Sequence, residues 1–298
     1  MMRRISTSKN RAPMTGIARF AAFVAMIISV FLFFSPGSSV AAVSDWLSAA
    51  AKRTANGKIS VAERTLWTGE INGKIPVSVW LEQKDGLTTG ELLYVNSKTR
   101  TPFRLLGTYG TSGESPTVSL QEMLPGGLVT GMISASIKGE VLEGVWMAPE
   151  KIKETGTRYT VKDMQQYSLK LTQTGTAPGS FHWEYSPESL TGRYAYTYGP
   201  HHNSGTLDIT SAPDGGVSVE IHTHTAAPAF NMADVDPTAG ERTGNRIVCS
   251  VDDSCAFEVL LFSDFAKVST LKGRECDGWF GRGAYIDGNY IRAVVNAK

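Results

Sequence analysis

From Trp67 onward the chain runs as short segments in which apolar and polar residues alternate, and that period of two constrains the fold more than any other feature. "IPVSVWLEQ", "GELLYV", "PFRLLGTY", "TVSLQEM", "LVTGMISASI" and "VLEGVWM" are such segments, and "NGK", "KDG", "SGES" and "PGG" stand between them. Alternation puts the apolar side chains on one face of a strand, and Gly, Asn, Asp and Pro supply the turns. Strands about ten residues apart with no helix between them pair as an antiparallel meander.

The segments fall into two sets. Residues 64–173 supply about eight strands, ending in "YSLKLTQ", and "TGTAPGSFHWEYSPES" then reads as a linker. "LTGRYAYTY", "GTLDIT", "VSVEIHTHT", "NRIVCSV", "CAFEVLLFS", "AKVSTLKG" and "GRGAYIDGNYIRAV" begin the second set. About eight antiparallel strands close a sheet without a free edge, and the interior then holds side chains or one small ligand. The expected fold is therefore all-β: two small antiparallel meander barrels, at 61–174 and 189–298, joined by a linker at 175–188. Gly90 with Tyr94, Gly144 with Trp146, Gly192 with Tyr194 and Gly288 with Tyr290 repeat a glycine close to an aromatic ring. Such pairs fit bent strands whose exposed backbone a ring covers. Helix is expected in a lead-in at 43–60, where Ser44 caps "SDWLSAAAKR", and as a single turn in "VKDMQQ".

The first 42 residues have the order of a secretory signal peptide. Arg3, Arg4, Lys9, Arg11 and Arg19 precede the uncharged run "FAAFVAMIISVFLFF", followed by Pro36, Gly37 and "SSVAA". The run is about fifteen residues, short for a bilayer span of roughly twenty, so cleavage after Ala41 or Ala42 is expected and the mature chain is placed in the periplasm or outside the cell. Membrane attachment would arise only if this segment stayed uncleaved. Its removal takes Lys+Arg from 29 to 24 against 28 Asp+Glu, a net charge of about −4. Nucleic acid is then not an expected partner, since neutralising phosphates needs clustered basic residues and no basic run occurs.

The first half, with "WTGEINGKIPVSVWLEQKDGLTTGELLYV", "TPFRLLGTY", "VSLQEM", "GMISASIKGEVLEGVW" and "YSLKLT", resembles a widespread class of bacterial envelope domains with small lipocalin-like or avidin-like barrels. The second half, with "LTGRYAYTY", "CAFEVLLF" and "GRECDGWFGRGAYIDGNYIR", is similar to a periplasmic domain found with lysozyme-inhibitor-like modules. The resemblance implies a fold and an envelope setting and carries over no catalytic residue.

All three cysteines, Cys249, Cys255 and Cys276, lie in the second set of strands, and an oxidising compartment makes a disulfide expected. A hairpin turning near Asp264 brings Cys255 to Cys276, which favours that pair over Cys249 with Cys255. Cys249 is then a buried thiol or one that pairs with a second chain.

"VSVEIHTHT" is the candidate site. On a strand Val217, Val219 and Ile221 share one face while Glu220, His222 and His224 share the other. Folding it onto "GTLDIT" with like faces aligned opposes His224 to Ser204, His222 to Thr206 and Glu220 to Asp208. Continuing the ladder places His202, beside His201, diagonally from His224. His202, His222 and His224 with Glu220 would then form a set suited to zinc, copper or nickel. The alternative is a solvated strand face with no cofactor, on which Glu220 opposite Asp208 sets two acids together unless a cation intervenes.

Enzyme motifs do not appear: the sequence has no Gly-x-Ser-x-Gly, no His-Glu-x-x-His and no phosphate-cradling loop at a strand-to-helix junction. Trp183, Tyr185 and the aromatics of "WFGRGAY" read as packing residues, with a binding face as the alternative. The leading expectation is an exported non-enzymatic binding protein for a protein partner or small ligand, an inhibitor or immunity-type protein against an envelope-directed enzyme. A periplasmic metal-binding protein and an unrecognised hydrolase are the alternatives.

Overall fold

Strand pairing closes twice in the computed structural model, which describes residues 64–112, 115–156, 158–162, 164–177, 183, 191–211 and 216–293. The expected signal segment, the expected lead-in helix and most of the expected linker lie outside the described residues.

The first barrel takes β1 (Arg64–Ile71), β2 (Ile75–Lys84), β3 (Leu87–Tyr94), β4 (Phe103–Ser112), β5 (Ser115–Met123), β6 (Val129–Lys138), β7 (Val141–Met147) and β10 (Gln166–Ala177). Each strand pairs with the next in sequence apart from one detour, and β1 closes the ring against both β2 and β10. The detour is β8 (Lys151–Thr155) with β9 (Arg158–Lys162), a separate two-stranded sheet inserted between β7 and β10. The second barrel runs without detour through β11 (Gly192–Thr197), β12 (Ser204–Ser211), β13 (Val217–His224), β14 (Met232–Thr243), β15 (Arg246–Ser250), β16 (Cys255–Leu261), β17 (Phe265–Glu275) and β18 (Gly288–Arg292), which returns to β11. Two closed eight-stranded antiparallel barrels are thus what the alternating segments build, and no α-helix occurs among the described residues.

Several local expectations are corrected. Among the described residues of "VKDMQQ" there is no helical turn: Val161 and Lys162 end β9, and Gln166 starts β10. β10 continues through Ala177, beyond the expected end of the first barrel at 174. β14 had no counterpart among the expected strands, because "MADVDPTAGERT" is polar and contains Pro237. Its inward residues Ala233 and Val235 still alternate and are buried. Pro237 falls where the β13–β14 ladder shifts register, opposite the step between Val219 and Ile221, a bulge position that tolerates the missing N–H.

Two of the rings that shield strand glycines come from across the ladder. A methyl added to Gly131 would meet the Trp146 indole, and one added to Gly205 would meet the Tyr196 ring. Gly144, expected to pair with Trp146, instead lies against the backbone of Ser134 and Ala135. Gly288 does lie against Tyr290, as expected.

The interior of the first barrel is filled. Trp67, Val79, Leu81, Leu105, Leu120 and Leu171 belong to one buried cluster, each such side chain stabilising by roughly 1.5–3 kcal/mol on transfer from water. The second barrel packs Tyr194, Tyr290, Phe257 and Cys249, all fully buried.

Residues on the outer face of β3–β5 are also buried, because the second barrel covers them. Thr89, Leu106 and Met123 are almost completely inaccessible. Arg104 crosses the seam: its Nε and Nη2 donate to Asp264 at 2.8 and 3.2 Å, while Nη1 donates to Gly90 O and Nη2 to Thr89 Oγ1. Gln121 adds bonds with Tyr198 and Asn289, and Thr197 N donates to Gly127 O. On the facing side Lys267 has its pKa lowered by burial. A seam with hydrogen-bonded charges of both signs holds the barrels in one register, since an unpaired charge there would be costly.

Trp183, from the linker, is buried with its ring 5.5 Å from Phe262 and 6.2 Å from Phe265. It packs, as expected of it; Tyr185 lies outside the described residues.

Candidate functional site

The register across "VSVEIHTH" is the one anticipated. Ser204 faces His224, Thr206 faces His222 and Asp208 faces Glu220. Val217, Val219 and Ile221 are buried and His222 is exposed.

The side chains nevertheless do not converge. His222 donates from Nε2 to Glu220 at 2.8 Å and from Nδ1 to Asp234 at 3.1 Å. His224 donates from Nδ1 to the Thr225 carbonyl, so its Nε2 accepts the Ser204 hydroxyl at 2.7 Å. His202 is buried and turns away, donating to the Glu150 carbonyl at 2.7 Å, and His201 lies 3.4 Å from Glu154. Among the described residues no group of three or more His, Cys, Asp and Glu is placed to share an ion.

The apposed acids Asp208 and Glu220 find their cations within the chain. Arg193 donates to both oxygens of Asp208, and His222 takes Glu220. The Glu220 bond, followed by that of Asp234, raises the His222 pKa above its usual 6.5. A raised folded-state value means that the pair stabilises fully below about 6.5 and that this contribution disappears as pH rises through the folded-state pKa. Half-exposed charges are well screened, so the effect on global stability is small. An NMR titration of the His222 ring should give a midpoint above 6.5 that falls in Glu220→Gln; a wild-type midpoint at or below 6.5 would contradict the geometry.

Two other features are more unusual, one that sequence reasoning missed and one that it held only as the alternative to packing. The first is Glu122, 1% exposed. Its position opposite Leu105 and Gly131 turns it into the first barrel. Its Oε2 accepts from Tyr94 Oη and Trp146 Nε1, both at 2.9 Å, and its Oε1 accepts from Thr130 Oγ1 at 2.7 Å. Burial and then the Glu122 charge hold the Tyr94 phenol well above its ordinary range. Trp146 stacks on Tyr167 at 5.9 Å, and Tyr94 meets Phe103 edge-on at 5.4 Å. A carboxylate thus organises four aromatic rings at one end of this barrel. "SLQEM" carried the signal, since Leu120 and Glu122 share the apolar face.

The second is the loop from Cys276 to Ile286. It starts at a disulfide, Cys255–Cys276, and ends at the fully buried Ile286. Between these anchors its backbone is tied down: Gly281 N donates to Met232 O at 2.9 Å, Asn231 Nδ2 to Arg282 O at 2.6 Å and Thr223 Oγ1 to Tyr285 O at 2.8 Å. Trp279 Nε1 donates to Ser254 Oγ at 3.2 Å. Gly278 and Gly283 adopt φ of 81° and 74°, a region that glycine enters without strain.

A backbone so held still exposes large apolar groups. Trp279 is 45%, Tyr285 54% and Met232 60% accessible. The packing role expected for the "WFGRGAY" aromatics is therefore not what Trp279 and Tyr285 adopt. Between the loop and the end of β17 lies an open groove of about 420 Å³ lined by Thr270, Asp277, Phe280, Arg282 and Asp287. Asp287 is engaged, accepting Thr270 Oγ1 at 3.1 Å and the Thr270 amide.

Cys249 is buried and unpaired with another cysteine, and burial pushes its thiol up to about 12. A thiol so far from ionisation is a poor nucleophile.

The chain matches no protein-family model, no curated protein and no solved structure.

Proposed function

We propose that this is an exported, non-enzymatic binding protein of the cell envelope, which presents the 276–286 loop to a protein partner in the manner of an inhibitor or immunity-type protein against an envelope-acting enzyme. The exposure of Trp279, Tyr285 and Met232 on a backbone fixed by a disulfide and hydrogen bonds carries the reading. Trp, Tyr, Met and Arg are the residues enriched in interface cores, and a loop already held in shape loses little entropy on docking. The filled interior of the first barrel also favours recognition by surface loops over the enclosure of a small ligand.

Purified mature protein should bind one member of a panel of envelope-directed hydrolases, muramidases included, and reduce its activity. Trp279→Ala with Tyr285→Ala should weaken that complex by about 2–4 kcal/mol, or roughly 30- to 1000-fold in Kd, while the urea midpoint stays unchanged. A complex that the double variant forms equally well, or no complex with any panel enzyme, refutes the proposal.

A further inference from the structure

The sequence has no run of like charge, yet the β8–β9 hairpin assembles a row of cations that linear order conceals. Side chains alternate across a strand. The pairings Lys151 with Lys162, Lys153 with Thr160 and Thr155 with Arg158 therefore place all four cations on one face, with only two threonines among them. Every residue of that face is exposed. The opposite face turns to the second barrel: Tyr159 lies 5.4 Å from the His201 ring and 5.6 Å from Phe230, and Glu154 reaches His201. The ribbon is supported from behind and offers its cations to solvent.

Like charges directly opposed on paired strands are unfavourable unless an anion lies between them, and Lys151 faces Lys162 directly. None of the four cations forms an ion pair among the described residues. The surroundings sharpen the contrast: outside the hairpin, residues 64–298 contain 17 Lys and Arg against 25 Asp and Glu.

The shape of the strip selects its partner. The three rows of cations are two residues apart, about 7 Å, so the strip is roughly 13 Å long and no more than two side chains wide. A linear polyanion can lie along it. A flat anionic bilayer would bring its charge against the acidic surroundings, and the strip offers no apolar side chain to insert. A base-bearing polymer binds through stacking on exposed rings, whereas Tyr159 is turned inward. We infer that the β8–β9 hairpin is a docking strip for a linear, base-free polyanion of the polyphosphate type, held by charge alone and separate from the 276–286 loop.

Long-chain inorganic polyphosphate is the probe, titrated into the purified protein at about 50 and about 200 mM salt. Neutralising four phosphates gives a slope of about −3 in log K against log salt, a loss of roughly fifty-fold across that range. The variant Lys151→Ala/Lys153→Ala/Arg158→Ala/Lys162→Ala should bind at least about tenfold more weakly at the lower salt. These side chains are exposed, so the variant's circular dichroism and urea midpoint should match those of the parent. Absence of polyphosphate binding at low salt, or equal binding by the fourfold variant, would overturn the inference. So would tighter binding to phosphatidylglycerol vesicles or to oligothymidine than to polyphosphate of equal charge.

Discussion

Glu122→Ala is expected to lower the unfolding free energy by about 3–5 kcal/mol, more than any other single change to a polar residue in the first barrel. Three buried or half-buried donors, Tyr94 Oη, Trp146 Nε1 and Thr130 Oγ1, converge on this one carboxylate. Alanine removes the common acceptor and leaves each donor facing an apolar interior, at roughly 1–3 kcal/mol for every group that finds no water. The truncation also vacates space behind the Trp146–Tyr167 stack, which adds a cavity cost. Glu122→Gln keeps the volume and one carbonyl oxygen but turns an NH2 toward a donor, so about half the loss is expected. Urea denaturation of the two variants measures both effects. Alanine within about 1 kcal/mol of the parent would show that the three bonds do not hold the barrel end together.

Removal of the Cys255–Cys276 disulfide by Cys255→Ala/Cys276→Ala should cost about 3 kcal/mol, the chain-entropy value for a closed loop of about twenty residues. The bridge links the start of β16 to the residue after β17, two strands already held by their ladder. The larger local consequence falls on the 276–286 loop, which loses its covalent anchor and is then held by its hydrogen bonds to Met232, Asn231, Thr223 and Ser254 and by buried Ile286. Trp279 fluorescence should become more quenchable, and partner binding should fall even at temperatures where the barrels remain folded. Cys249 provides an internal check: without reductant no thiol should react with an alkylating reagent in the native protein, and one should react on unfolding. A thiol reacting in the native, unreduced protein would contradict that burial.

What the residues disclosed and what they hid follow from the range of each interaction. Alternation is local, so strands such as Ile75–Lys84 and Val217–His224 could be read from their own side chains. The β12–β13 register followed from the need to keep Leu207, Ile209, Val219 and Ile221 on one face. β14 escaped because its outward face is polar and its bulge holds Pro237, leaving only Ala233 and Val235 as signal. The histidine cluster failed for a different reason: register places backbones, whereas Glu220, Asp234, Ser204 and Glu150 decide where each ring nitrogen points. Loop exposure was also beyond local reading. Trp279 and Tyr285 look like core residues until the disulfide and the Met232 backbone fix the loop with its aromatics outward.

Between β7 and β10 the chain leaves the first barrel at Met147 and rejoins it at Gln166, and these two residues are ladder partners. Ala148 N still donates to Gln165 O one step beyond. The barrel is therefore complete without the β8–β9 hairpin, which occupies the place of an ordinary turn. Whatever grows at that turn is free to change in length and charge without cost to the ladder beneath, so long as it can rest on His201 and Phe230. The fold thus separates the frame of the barrel from a replaceable attachment, and new surface chemistry can be acquired there by insertion rather than by rebuilding a barrel.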